Sequence, residues 1–434
     1  MLYVPFIWFT ALTIWLWRRQ QCVEVSVFLS AQFALTSFVS ILVYHMHLLG
    51  ARGLLYTEEN LHFGGTPTIL YCVLLTLTIV PFALLNPHNI KNITLPNERI
   101  FNLIAYGMFG IFLVTIYLIS ADAINIFHGG MENLVEIRRN HYEGEETISD
   151  IRTRNLPTII GYAYYFLGVT LLMLPCFFYS ICFLHKRWWF NLMLFLSSLS
   201  MPIRGITSVD RTEWLFYIQA LIICLLLFRP FLKQSQKRVL KLLFIPVIVA
   251  IVLFLGAVTL SRWNDKTESR GALGSTLLYA GQNYYNFCYF YEYGLGGKVY
   301  TNYMFPTYNH MVKGIDKKDV EETIGEERGV NHGPVSVFAT HIGTFLLSAG
   351  FTRTVIWTIG FFVLCFLLFR RIKDTASLGQ WLIYFILSTI PMFGIFYYRY
   401  FSFAQGLTLW GTAAIAILFH YTFIFKRQCT STPS

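Results

Sequence analysis

Long unbroken apolar runs separated by short polar links dominate the chain. They fall roughly at 2–17, 25–48, 67–85, 100–120, 158–184, 188–203, 213–228, 242–260, 353–369, 379–397 and 402–425. A helix needs about 20 mainly apolar residues to cross a bilayer. The runs are continuous rather than alternating, which predicts helices and not barrel strands. The pattern therefore predicts an all-α polytopic membrane protein with about eleven transmembrane helices, the runs at 2–17, 188–203 and 213–228 being the shortest. A further stretch, 335–350 (VSVFATHIGTFLLSAG), is about 16 residues long and contains His341. It reads as a re-entrant or interfacial helix ending at Gly350, because a twelfth crossing would strand Arg370, Arg371, Lys373, Lys426 and Arg427 on the wrong side.

Composition agrees with this pattern. The chain has 434 residues, of which 55% are hydrophobic and only 13% charged, with mean hydropathy +0.54. A soluble domain carries about 25% charged residues, so a soluble enzyme, a disordered chain and a fibrous repeat are excluded. The first run has no basic residue before it, and Arg18-Arg19 follow it. That is the reverse of a cleaved signal peptide and predicts a span with its N-terminus outside. Eleven spans then place the C-terminus inside. On this topology the inside segments hold 16 basic and three acidic residues, and the outside segments 17 basic and 20 acidic. The net charge of +10 is thus mostly the positive-inside signal. It does not call for nucleic acid.

Two outside segments are long: 121–157, and the larger 261–334. Within the second, YAGQNYYNFCYFYEYGLGGKVYTNYMFPTY runs from Tyr279 to Tyr308. Aromatic rings can stack on the apolar face of a sugar while amides bond its hydroxyls. Tyr279, Gln282, Asn283, Tyr284, Tyr285 and Asn286 are the candidate sugar-binding residues. An interfacial helix with tyrosines at headgroup level would have the same composition.

Arg204, Arg211, Arg262, Arg353 and Arg399 lie at or beside predicted outer span ends, with Arg270 just inside the larger loop. Outer ends should be poor in basic residues. A guanidinium grips phosphate oxygens with a planar fork of donors and stays charged, so these side chains could hold a lipid diphosphate at that depth. Snorkelling to phospholipid headgroups is the alternative for each taken singly. Glu292, His332 and His341 are the proton acceptors that could serve as a base.

The remaining chemistry is mostly negative. The eight cysteines lie mainly in apolar runs, without CxxC or Cys/His metal spacing, and predict no metal site. The acidic residues between Asp316 and Glu327 are interrupted by Lys317 and Lys318, lack calcium-loop spacing, and read as a solvated charged helix. Neither GxxxxGK[ST] nor GxGxxG is found, and the inside links are short. No cofactor is predicted, and any substrate must arrive already activated and already outside. The spans carry almost no midplane charge, which weakens a transporter.

These features resemble Wzy-type O-antigen or capsular polysaccharide polymerases of bacterial inner membranes. The resemblance covers most of the chain by architecture. TSVDRTEWLF at 207–216 resembles the family's Ser/Arg turn leading into a span, with Arg211 at the arginine. LLYAGQNYYNF at 277–287 resembles a tyrosine/glycine stretch of the large loop, and 335–350 the segment after it. Thr340-His341-Ile342-Gly343 departs from the family's aromatic-aspartate-Phe-Gly run, so the resemblance gives His341 no role. The resemblance implies a GT-C-related fold with large periplasmic loops and undecaprenyl-diphosphate-linked oligosaccharide as substrate. With such a substrate, Arg211, Arg262, Arg270, Glu292 and His332 are the candidate catalytic residues, and Arg204, Arg353 and Arg399 the candidate diphosphate contacts. A chain-length regulator and a flippase would be its partners. An O-antigen ligase, or a glycosyltransferase using a prenyl-phosphate sugar, would share this architecture. A lipid-linked oligosaccharide flippase is the alternative of another class.

Overall fold

The computed structural model describes residues 1–48, 63–94, 97–143, 155, 157–158, 160–161, 166–207, 211–263, 271–293, 314, 338–401 and 403–430. These are overwhelmingly helical. The only sheet among them pairs β1 (Asn92–Thr94) in parallel with β2 (Thr375–Ser377). Six helical segments among the described residues are long and apolar enough to cross a membrane. They are Val25–His45, Gly65–Asn89, Glu98–Ser120, Phe166–Leu184, Thr212–Phe231 and Ala349–Phe369. Several carry bare apolar faces. The apolar window of Ala349–Phe369 is only 17% buried, against 72% for Phe166–Leu184. Leu103, Ile356 and Leu364 are exposed by 72%, 59% and 49%. Contiguous exposed apolar faces are not stable in water, and a lipid environment removes the penalty. The chain is an all-α membrane protein.

Of the other predicted runs, 2–17 lies on a 17-residue helix, α1 (Val4–Gln20). The run at 188–203 is divided between two short helices, and 379–397 covers a 16-residue helix and the turn after it. The runs at 242–260 and 402–425 lie on longer helices with basic residues at their ends.

The chain forms two compact units. The first comprises 1–90, 273–374 and 386–406. In it, α1 and α2 (Val25–His45) form a hairpin, joined through Gln21 in the left-handed region (φ 55°). Arg18 and Arg19 occupy the last turn of α1, where cations oppose the helix dipole. Buried Ser26, Ser30, Ser37 and Ser40 line α2 and allow close approach, and Thr13 Oγ1 donates to Ser30 Oγ at 3.0 Å across the hairpin. α3 (Gly65–Ile79) continues into a 3-10 turn whose Phe82 packs 5.4 Å from Phe369. Phe9, Phe33 and Tyr71 form the aromatic centre between α1, α2 and α3.

The second unit comprises 91–272, 375–385 and 407–434. Its α4 (Glu98–Glu143) is continuous for 46 residues, on the order of 69 Å at 1.5 Å per residue. It therefore runs well into the segment 121–157. α5 (Met173–Tyr179) ends in a π-turn at Ser180–Leu184, and α6 (Trp188–Ser198) and α7 (Ser200–Thr207) follow. α8 (Arg211–Phe228) and α9 (Gln234–Trp263) complete this stretch. The centre is aromatic: Phe178 stacks on Phe228 at 5.6 Å, and Phe228 meets the fully buried Trp381 at 6.0 Å. Gly379 lies against the backbone of Ala416 and His420, leaving no room for a Cβ.

Candidate functional site

The larger predicted outer loop is partly ordered helix. α10 (Gly271–Gly281) and α11 (Asn283–Tyr293) lie within it. In the first unit α11 packs against α2, α3 and α12 (Thr340–Phe369). Gly281 makes the approach possible, because a Cβ there would stand 2.9 Å from the Val39 carbonyl of α2.

Burial of α11 is nearly complete. Gln282, Asn283, Tyr284, Tyr285 and Asn286 are all at most 5% exposed. Tyr284 OH and Thr68 Oγ1 of α3 are 2.7 Å apart. Tyr285 OH donates to the Ser40 carbonyl, and Ser40 Oγ donates to the Gly281 carbonyl at 2.6 Å. Asn286 Nδ2 donates to the Phe338 carbonyl at 2.7 Å and to Gln282 Oε1 at 3.3 Å. In this arrangement Tyr284, Tyr285 and Asn286 bind protein groups and hold helices together. Tyr279 differs: it is 39% exposed, with its ring 5.4 Å from that of Phe338.

The segment before Gly350 supplies the other wall. α12 is broken at Gly350 (φ 74°, ψ 172°), a conformation glycine adopts without a Cβ penalty. The break falls at the residue where the sequence ends the segment 335–350. Ahead of it, Thr340 has φ 67°, which a β-branched residue adopts only when its surroundings impose it. Thr340 N donates to Phe396 O and His341 N to Gly394 O, both at 2.9 Å. These bonds lash the start of α12 to the turn after α13 (Leu378–Phe393).

His341 is wholly buried between the rings of Phe33 and Phe345. Its Nδ1 lies 3.2 Å from Gly394 O. A carbonyl can only accept, so Nδ1 carries the proton and Nε2 is left with a lone pair. Among the described residues, His341 Nε2 has no hydrogen-bond partner, and neither has buried Asn283 Oδ1. Two buried acceptors without donors require an explanation, because each such group costs about 1–3 kcal/mol.

Arg399 follows the same turn. It opens a 3-10 turn (Arg399–Phe401), is 3% exposed, and sets its guanidinium 5.1 Å from the Phe393 ring centroid. Beside it, Tyr400 OH and Thr389 Oγ1 are 2.6 Å apart. Burial raises the Tyr400 phenol to about 12, against the opposing pull of the Thr389 hydrogen bond and the Arg399 charge. The chain matches no protein-family model, no curated protein and no solved structure.

The other candidate residues fall on several elements. Arg353 is exposed on α12, and Arg204 is exposed on α7 of the second unit. Arg211 begins α8 and Arg262 lies one residue before the end of α9; for both, the structure describes the backbone. Arg270 and His332 lie outside the described residues, as do the acidic positions from Asp316 to Glu327. Glu292 is exposed at the end of α11, and its Oε1 lies 3.5 Å from where a Cβ of Gly64 would stand. Gly64 is the N-cap of α3, so the carboxylate is near a helix N-terminus, where negative charge is favoured. Sequence reasoning missed Thr68, Ser40 and Gly394. Their contacts span more than 50 residues of sequence, and no local pattern signals them.

Proposed function

We propose that this protein is a membrane-embedded glycosyltransferase that polymerises undecaprenyl-diphosphate-linked oligosaccharide repeat units into O-antigen or capsular polysaccharide. The observation that carries the reading is the presence, in one unit, of a buried arginine and two buried acceptors without protein donors. Arg399 suits a diphosphate, and Asn283 Oδ1 and His341 Nε2 suit hydroxyl hydrogens. Together these are the functional groups of a lipid-diphosphate sugar and its acceptor. The exposed ring of Tyr279 adds a surface on which a sugar can stack.

In the proposed reaction, an acceptor hydroxyl oxygen attacks the anomeric carbon of the donor with inversion. The bond from that carbon to the diphosphate oxygen breaks, and the glycosidic bond forms. The hydroxyl proton passes to His341 Nε2 or to the departing diphosphate. Charge grows on the diphosphate in the transition state, and a fixed guanidinium stabilises it most at that moment. Arg211, Arg262 and Arg270 remain the further candidates for that role, with Arg204 and Arg353 as diphosphate contacts, and Glu292 and His332 as other bases. The bond broken supplies the driving force, so no nucleotide is used.

The reading places the protein in a bacterial inner membrane with its N-terminus in the periplasm and its C-terminus in the cytoplasm. Deletion of the gene tests it. Loss of a polymerase leaves glycan one repeat unit long. A ligase would instead leave finished polymer on its carrier and none on the lipid A core. A flippase would leave single units trapped on the cytoplasmic side. Either of the latter outcomes sinks the proposal.

A further inference from the structure

The links at the opposite end of α2 from Ser40 bring together three groups that the sequence keeps apart. Cys22 and Glu24 belong to the link between α1 and α2, and His88 lies in the 3-10 turn Pro87–Asn89 after α3. One ligand atom from each lies within 4.8 Å of the other two. Cys22 Sγ is 3.2 Å from Glu24 Oε1, and His88 Nε2 is 3.5 Å from the same oxygen. We propose that Cys22, Glu24 and His88 form a binding site for a divalent cation of the zinc class.

The distances fit such an ion. Bonds of about 2.3 Å to sulfur and about 2.0 Å to nitrogen and oxygen at tetrahedral angles separate the donor atoms by roughly 3.3–3.6 Å. The Cys22–Glu24 and Glu24–His88 separations, 3.2 and 3.5 Å, lie close to that range. The donor set is thiolate, imidazole and carboxylate, which suits zinc rather than calcium or magnesium. Three protein ligands leave the fourth position for water or another donor.

Local structure prepares each group. Glu24 is the N-cap of α2 in extended conformation (φ −109°, ψ 174°), yet its side chain makes no capping hydrogen bond. Its carboxylate instead faces Cys22 and His88 and is 2% exposed. The His88 backbone N–H donates to Asn86 Oδ1 at 2.9 Å, which fixes the turn carrying the imidazole. His88 is 45% exposed, so an ion can reach the cluster from solvent.

Binding would replace the thiol proton of Cys22 with the metal and release that proton to solvent. The ion would tie the α1–α2 link to the turn after α3. Ser40, which holds α11, lies 16 residues along α2 from Glu24, on the order of 24 Å away. The site is therefore separate from the candidate sugar site and does not depend on that reading. On the charge-derived topology both links face the reducing interior, where a thiol remains available.

The test is a titration of the full-length protein in detergent with Co2+, followed by displacement with Zn2+. The proposal expects one equivalent of Co2+ to give tetrahedral visible bands and a thiolate-to-cobalt charge-transfer band. C22S should abolish the charge-transfer band, although the other seven cysteines remain. H88Q alters a side chain that is 45% exposed. It should keep the charge-transfer band but weaken binding by more than the roughly 10–100-fold that loss of an outer partner costs. Absence of the band in folded wild-type protein overturns the proposal. So does an equal band in C22S, or unchanged affinity in H88Q.

Discussion

Replacing Gly394 by alanine probes the contact that positions His341. A Cβ on Gly394 would stand 2.7 Å from His341 Cγ, closer still to Nδ1, and 2.5 Å from Ile390 O. The imidazole has little room to retreat, being buried between Phe33 and Phe345. Overpacking of this kind costs about 1–3 kcal/mol, and the rigid flanking rings place G394A near the upper end. H341A removes about 65 Å³ of side chain, roughly 1.6 kcal/mol at 24 cal/mol per Å³ of cavity. It also removes one hydrogen bond worth about 1 kcal/mol. Gly394 O is not orphaned, because His341 N still donates to it at 2.9 Å. The single variants should therefore each lose about 2.5 kcal/mol. In the double variant the methyl enters the space vacated by the imidazole, and only the contact with Ile390 O persists. The double loss should be about 3.5 kcal/mol rather than about 5, a coupling of about 1.5. Reversible unfolding of detergent-solubilised protein measures all four corners of the cycle. Additivity within about 0.5 kcal/mol would refute the reasoning, because it would mean that the two residues do not share a space.

Two other substitutions follow from the same unit. R399M retains the aliphatic bulk of Arg399 but deletes a buried charge. Its melting should stay within about 1 kcal/mol of wild type, since an apolar replacement relieves desolvation, while the polymerisation rate falls about 100- to 1000-fold. A variant that unfolds while retaining its specific activity would make Arg399 structural. N286L deletes the bonds to Phe338 O and Gln282 Oε1 and should destabilise by about 1–3 kcal/mol, read by thermal unfolding. An unchanged melting curve would show that α11 does not depend on that bond.

Hydropathy located the six helices that are long and apolar enough to cross a membrane, because apolar length is a local property. The run 25–48 corresponds to α2 at Val25–His45, and the segment predicted to stop at Gly350 breaks there because only glycine tolerates that backbone. Hydropathy did not locate helix ends. α4 continues to Glu143 because helical hydrogen bonds persist through residues as polar as Glu132 and Arg139, although the apolar run stops near Ser120. The stretch from Tyr279 to Tyr293 has the composition of a sugar-binding surface, yet α11 is buried. The hydroxyls of Tyr284 and Tyr285 and the amide nitrogen of Asn286 are satisfied by Thr68, Ser40 and Phe338, partners from 52 to 245 residues away in sequence. Composition cannot distinguish an amide that meets a sugar from one that meets a distant carbonyl. The Cys22–Glu24–His88 cluster was hidden in the same way, since its two halves lie on different links. Arg399 was legible as an arginine near a span end, but its burial follows from the turn that Thr340 and His341 hold in place.

The most direct measurement of the central claim uses purified protein in lipid nanodiscs with synthetic undecaprenyl-diphosphate-linked repeat units and no nucleotide. Products are resolved by gel and mass spectrometry. The account predicts a ladder of glycans increasing by whole repeat units, each still on its carrier, with free undecaprenyl diphosphate released per bond formed. Repeat units recovered as monomers from folded protein, with no undecaprenyl diphosphate released, would contradict it.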